Sequence, residues 1–295
     1  MNHISRYVFA AMMALLANCH VGTGQSYDLR YGISDGQALS YKNLVNEDTY
    51  LELHTNLSTS VKKNSEIHYS LKGIASPEGT VEYVFVQDTN YVRELPPPPD
   101  NPDEIDMDNL LTKIPVQIRL TEKGEPLDVK ALESAIGRKG LQGKIQLNDR
   151  QIAQFALTLP VLPAQPIEVG DSWEVSTSDT LVPRRDLGEA NSLRLERSKA
   201  LYKATGLKTI GKYECVVVEW DADVITEQKT IEGGLEQFFE ETTSTTGEYC
   251  FAPEAGLVVE MSQRVELEAT TVIFGDQEGM ILNTSTKESE LTLIQ

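Results

Sequence analysis

Apolar and polar residues alternate with a period of two along most of this chain. Ile67, Tyr69 and Leu71 alternate with His68, Ser70 and Lys72, and Val81, Tyr83 and Phe85 alternate with Glu82, Val84 and Val86. Further on, Val216, Val218, Trp220, Ala222 and Val224 oppose Glu219, Asp221 and Asp223. Leu257, Val259, Met261, Val265 and Leu267 likewise oppose Glu260, Arg264, Glu266 and Glu268. In a strand, successive side chains point to opposite faces, so this pattern predicts strands with one covered and one wet face, the habit of antiparallel sheets. Val84 and Val86 suggest that the Val81–Val86 strand is covered on both faces. Turn signals punctuate the runs: Asp35-Gly36 between Tyr27–Ile33 and Ala38–Leu44, then Ser76-Pro77-Glu78-Gly79, Lys123-Gly124 and Gly275-Asp276. Tyr50–Leu57, Ile114–Leu120, Leu193–Thr205 and a last strand reaching Leu293 complete the β reading.

The middle of the chain breaks the alternation. Ile152, Phe155, Ala156 and Leu159 fall at i, i+3, i+4 and i+7, an apolar stripe of helical period. Asn148 can cap that helix with Gln151 reaching back, Leu147 and Ile152 can staple it, and Pro160 ends it. A shorter helix is expected from Asp128, with Val129, Leu132 and Ile136 inward and Gly137 as its stop. Between the two lies the basic linker Gly137-Arg138-Lys139-Gly140-Leu141-Gln142-Gly143-Lys144, read as a flexible helix–helix connection; an anion-holding loop is the weaker reading. The proline-punctuated stretch Val161–Val169 then leads through the turn Gly170-Asp171 into a strand containing Trp173. The expected fold is mainly β (α+β): long antiparallel strands in a curved sheet or open barrel, with two short helices mid-chain. Residues 26–128 form an N-terminal β half, 129–170 a helical and proline-rich bridge, and 171–295 a C-terminal β half, with 26–295 one domain.

Composition adds compartment and charge. Arg6 followed by the apolar run Tyr7–Ala17 reads as a signal segment over residues 1–24, too short for an ordinary spanning helix. Leu16-Ala17-Asn18-Cys19 resembles a lipoprotein signal and makes Cys19 the lipidation candidate, while cleavage after Gly22 or Gly24 would leave a soluble chain. Either route places the protein in the periplasm or cell envelope, with no transmembrane helix once the signal is removed. The formal charge of −19 becomes −20 when Arg6 is lost, which repels phosphate backbones and excludes nucleic acid as a partner. Cys215 and Cys250 then remain as an even pair. If Glu232 and Gly233 are the turn residues of the hairpin between them, opposed residue numbers sum to 465, as these two do, and a disulfide follows.

No catalytic motif stands out. His54 and His68 lie in strand-like segments, the acidic run Asp100, Asp103, Glu104, Asp106 and Asp108 lacks the glycine and terminal glutamate of a calcium loop, and no nucleophile elbow or metal-protease helix occurs. No cofactor is expected. Leu-Pro-x-x-Pro leading into Val169-Gly170-Asp171-Ser172-Trp173, after Thr121-Glu-Lys-Gly-Glu-Pro-Leu127, resembles an uncharacterised family of bacterial exported proteins and lipoproteins. That resemblance implies export and a β-rich fold and transfers no catalytic residues. More distantly, the arrangement is similar to LolA-like envelope lipid carriers. The expected function is a non-enzymatic envelope binding or interaction module. An apolar pocket between sheet and helices would take a lipid, another apolar ligand or an envelope protein. The alternative is an exported hydrolase using a carboxylate pair in a cleft.

Overall fold

The alternating runs become thirteen strands: β1 (Ala38–Leu53), β2 (Leu57–Ile74), β3 (Thr80–Leu95), β4 (Pro115–Thr121), β5 (Pro126–Ala131), β6 (Ile136–Lys139), β7 (Gly143–Gln146), β8 (Ser172–Leu181), β9 (Asn191–Ile210), β10 (Tyr213–Glu232), β11 (Leu235–Ala252), β12 (Leu257–Phe274) and β13 (Gly279–Leu293). The structure, a computed structural model, describes residues 25–53, 57–96, 112–133, 136–139, 143–146, 159–181, 191–232, 235–275 and 278–294. Eleven strands form one antiparallel sheet in the order β5-β4-β3-β2-β1-β13-β12-β11-β10-β9-β8, and β6–β7 is a separate hairpin. Neighbours in the large sheet are consecutive in sequence, except at β1–β13, where the two halves of the chain meet over a register running from Tyr41↔Leu293 to Leu53↔Ile281. The sheet is open, with β5 and β8 as its edges.

Period-two alternation sorts this sheet into a covered and an open face. The covered face carries Leu39 and Tyr41 from β1, Tyr69 and Leu71 from β2, Tyr83 and Phe85 from β3, and Val216, Val218 and Tyr249 from β10 and β11, all buried. This core lies at one end of the sheet, here called proximal, near the turns after Ile74, Ile210 and Ala252. The open face at mid-strand carries Glu219, Asp221 and Asp223 on β10 and Arg264, Glu266 and Glu268 on β12, all exposed.

Two irregular segments fill the proximal end. Residues 25–34 place Leu29 and Tyr31 in the core, and residues 159–167 add Leu162 and Ile167. The segments pair with each other only at Tyr27↔Ile167. They are tied to the sheet by backbone hydrogen bonds from Tyr31 N–H to Glu122 O, Leu162 N–H to Lys123 O, and Gly32 N–H to Gly256 O. The Tyr31 hydroxyl donates to Pro160 O at 2.8 Å, and its ring meets Phe251 edge-on at 5.4 Å. Gly124, at φ +88°, turns beneath this contact; an added Cβ would lie 2.7 Å from both Pro160 O and the Tyr31 ring. Lys123 fastens the same corner, its ammonium donating to Asp28 Oδ1 at 2.8 Å and to Leu29 O at 2.7 Å.

Three expectations are corrected. Asp128 does not cap a helix: it lies in β5, where pairing with β4 satisfies the backbone and alternation turns Val129 and Ala131 toward the core. A strand partner overrode a weak helical pattern. The Gly137–Lys144 linker contains the paired ends of β6 and β7 rather than joining helices. Tyr27–Ile33 is no hairpin strand; it is the irregular filling of the core, despite the turn at Asp35-Gly36. The body of the helix read over 148–159 lies outside the described residues, and Leu159 and Pro160 are non-helical.

Candidate binding surface

The covered face changes character along the strands. Its apolar proximal part is filled by Leu29, Tyr31, Leu162 and Ile167. Distal to it runs an aromatic ladder on adjacent strands. Trp173 stacks on Tyr202 (5.2 Å, 9°), and Tyr202 on Trp220 (6.1 Å, 18°). The ladder ends on Gly247, opposite Trp220 in β11, where a Cβ would sit 2.6 Å from the indole nitrogen. Beyond it the same face turns polar. Glu47 lies between Lys63 and Lys287 on neighbouring strands and accepts hydrogen bonds from Thr49 and Ser285, both at 3.3 Å. Two rows further along, Glu196 and Glu241 lie on either side of the buried Thr226. Arg194 donates to Glu196 at 2.8 Å. Burial pushes the Glu241 carboxyl above the ordinary glutamate range; the Arg194 charge offsets part of this, and the charge of Glu196 adds a smaller upward push. Glu196 and Glu241 sit two strands apart on a sheet face with a threonine between them, which is not the opposed pair of a hydrolase cleft.

The open face is charged at mid-strand and apolar near its distal end. Direct cross-strand neighbours there form the row Leu193–Lys229–Phe238–Val272–Met280, running from β9 to β13. The next row, Leu195–Glu227–Glu240–Thr270–Leu282, lies roughly 7 Å away, two residues along each strand. Leu193, Phe238 and Met280 are 47%, 39% and 40% exposed. Phe238 meets Phe274 edge-on at 5.8 Å, and the Lys229 ammonium lies 4.9 Å from the Phe238 ring centre while pairing with Glu236. Between the two rows runs a groove of about 300 Å³, lined by Leu193, Leu195, Phe238 and Val272 together with Glu227, Lys229, Glu240 and Thr270. Its charges are largely satisfied in place: Arg197 pairs with Glu227 at 2.9 Å and Lys229 with Glu236. Sequence reading missed this site, because its apolar positions lie on strands that align only through the sheet register.

The residues singled out from sequence fall elsewhere. Cys19, His54 and the acidic run 100–108 lie outside the described residues. His68 pairs with Glu66 at 2.9 Å on the sheet surface. The hairpin register around Cys215 and Cys250 is corrected: opposed numbers sum to 467, so Cys250 faces Val217 and Cys215 lies one diagonal away. Glu232, expected in the turn, is instead paired with Leu235. In the structure both thiols are free and buried. Burial pushes the Cys250 thiol up to about 11 and raises that of Cys215.

No protein-family model and no curated protein matches the chain. Among solved structures, the chain is similar to Pseudomonas aeruginosa OccK7 (OpdD), with 8% identity, 88% of this chain and 100% of that one covered, and a TM-score of 0.30. It is also similar to Pseudomonas aeruginosa OpdQ, with 7% identity, coverage of 88% and 100%, and a TM-score of 0.27. A third is an outer-membrane channel from Pseudomonas putida F1, with 8% identity, coverage of 90% and 98%, and a TM-score of 0.22. Scores this low carry no functional argument. The residues themselves speak to the mid-strand open face: a charged side chain on a lipid-facing barrel wall is destabilising, by about 2–4 kcal/mol for Arg or Lys at the bilayer midplane and by less for Asp or Glu. Glu219, Asp221, Asp223, Glu266 and Glu268 make that stretch a poor lipid-facing wall.

Proposed function

We propose that the chain is an exported binding or interaction module of the cell envelope, acting without catalysis, and that its docking site is the distal groove of the open face. Export rests on the signal-like segment Arg6–Ala17 followed by Cys19 or the glycines after it. The single observation that carries the binding reading is the groove itself. One row holds exposed Leu193, Phe238 and Met280, and Leu195 and Leu282 lie in the row beside it, on a face that carries Glu219, Asp221, Asp223, Glu266 and Glu268 at mid-strand. Contiguous exposed apolar surface rimmed by polar residues marks an interaction site far more often than isolated exposed residues do. The apolar site expected between sheet and helices is here placed instead in this groove.

A neutral environment-sensitive apolar dye, Nile red, tests the reading. The folded mature protein should bind it with a blue-shifted emission, and Phe238→Ser, with unchanged far-UV circular dichroism, should lose most of the signal. Equal dye binding by both proteins would place the apolar site elsewhere and overturn the assignment.

A further inference from the structure

Charge decides what the groove receives. In the more proximal of its two rows the open face presents Glu240 and, one row further and diagonally on β12, Glu268. Both are exposed and neither has an ionic or hydrogen-bonding partner among the described residues, whereas the other charges bordering the groove are matched: Arg197 with Glu227 and Lys229 with Glu236. The groove therefore combines an apolar floor of two leucines, a phenylalanine and a valine with two uncompensated carboxylates on one rim. A second copy of this chain, itself carrying a net charge of −19, would set carboxylates against carboxylates. Anionic lipid is repelled for the same reason.

We infer that the groove docks a partner protein segment in which bulky apolar side chains are flanked by Lys or Arg: the apolar residues lie between the Leu193–Val272 and Leu195–Thr270 rows, and the basic residues reach Glu240 and Glu268. The inference rests on the groove being the docking site and adds the chemistry of its occupant. An amphipathic helix laid in a groove presents anchors at i, i+3 or i+4 and i+7, a spacing compatible with a site that spans several strands. Its cations would gain from the unpaired carboxylates without first displacing an existing ion pair.

The test is calorimetric titration of the mature full-length protein with three synthetic peptides of one length: a helix-forming Leu/Lys sequence, the same pattern with Glu for Lys, and one with Ser for Leu. The Leu/Lys peptide should bind at least tenfold more tightly than the Ser/Lys peptide, and the Leu/Glu peptide should not bind. Glu240→Gln/Glu268→Gln should weaken the Leu/Lys complex about tenfold while leaving dye binding intact, because both changed residues are exposed and leave the apolar floor in place. Equal binding of the Leu/Lys and Ser/Lys peptides would reduce the effect to general attraction by an acidic protein and overturn the inference. So would unchanged Leu/Lys affinity in the double variant, or binding of wild-type protein to phosphatidylcholine vesicles in preference to the peptides. In each case retained dye binding would leave the groove assignment standing, so the two readings fail separately.

Discussion

Replacing Gly124 by alanine tests how the proximal end is held. Gly124 combines two constraints, a backbone at φ +88° and close approach to Pro160 O and the Tyr31 ring, each 2.7 Å from an ideal Cβ. Gly79 supplies the control, since its φ is +79° with nothing within 4 Å of its Cβ position. Gly79→Ala should therefore cost only the left-handed backbone penalty, about 1 kcal/mol. Gly124→Ala incurs that penalty and must also displace a carbonyl and a ring. The ring cannot swing away freely, because its hydroxyl is bonded to Pro160 O at 2.8 Å and its edge rests on Phe251. Overpacking of this kind adds roughly 1–3 kcal/mol, for a total of about 2–4 kcal/mol. Urea denaturation with a common m-value measures both variants. If the two alanines cost the same, the segments 25–34 and 159–167 do not pack on the β4–β5 turn as described, and the account of the core is wrong.

Three further outcomes are expected. Glu241→Gln should stabilise the protein at pH 7 by about 0.5 kcal/mol, or one to two degrees in melting temperature. Because the folded Glu241 pKa lies above its unfolded value, this carboxylate destabilises the fold above the folded pKa. That penalty disappears as pH falls through the folded pKa to the unfolded one, so the variant's advantage should vanish near pH 4; an advantage that grows on acidification would contradict the burial argument. Thiol trapping and non-reducing peptide mapping of freshly isolated protein should find Cys215 and Cys250 alkylatable only after unfolding, as buried thiols are, and a Cys215–Cys250 peptide would show that the diagonal pair closes after all. Intact mass of protein recovered from its own envelope should lack the first 18 to 24 residues, with a diacylglycerol mass on Cys19 if that cysteine is lipidated; a retained Met1–Gly24 segment would refute export by signal cleavage.

Strand identity was legible because each strand states its own face. Val216, Val218 and Trp220 against Glu219, Asp221 and Asp223 need no partner to show which side is covered, and the structure keeps that division along β10. The mid-chain was less legible because its cues were local and weak. Asp128 followed by Val129 and Leu132 satisfies a capped helix as well as a short edge strand, and only the hydrogen bonds offered by β4 decide between them. Tyr27–Ile33 alternates like a strand, yet at the proximal end it faces sheet on more than one side. Its Leu29 and Tyr31 are held by the β4–β5 and β11–β12 turns instead of a continuous ladder.

The candidate site shows the deeper limit. Leu193, Phe238 and Val272 are far apart in sequence, and each taken alone is an unremarkable apolar residue near a strand end. They become neighbours only when three registers are fixed at once: β9 on β10, β10 on β11, and β11 on β12. A turn moved by one residue changes the sum of opposed residue numbers by two. Every side chain then keeps its face and every cross-strand partner changes, which is what separates the expected Cys215–Cys250 pair from the observed Val217–Cys250 pair. Faces therefore survive an error in the turn and rows do not. A binding surface built from rows depends on the connections that set them, here Gly211-Lys212 between β9 and β10, the link from Glu232 to Leu235, and the residues joining Ala252 to Leu257. Moving any one of them by a residue would carry Phe238 past Leu193 or Val272 and open the groove while leaving the alternation of all four strands intact.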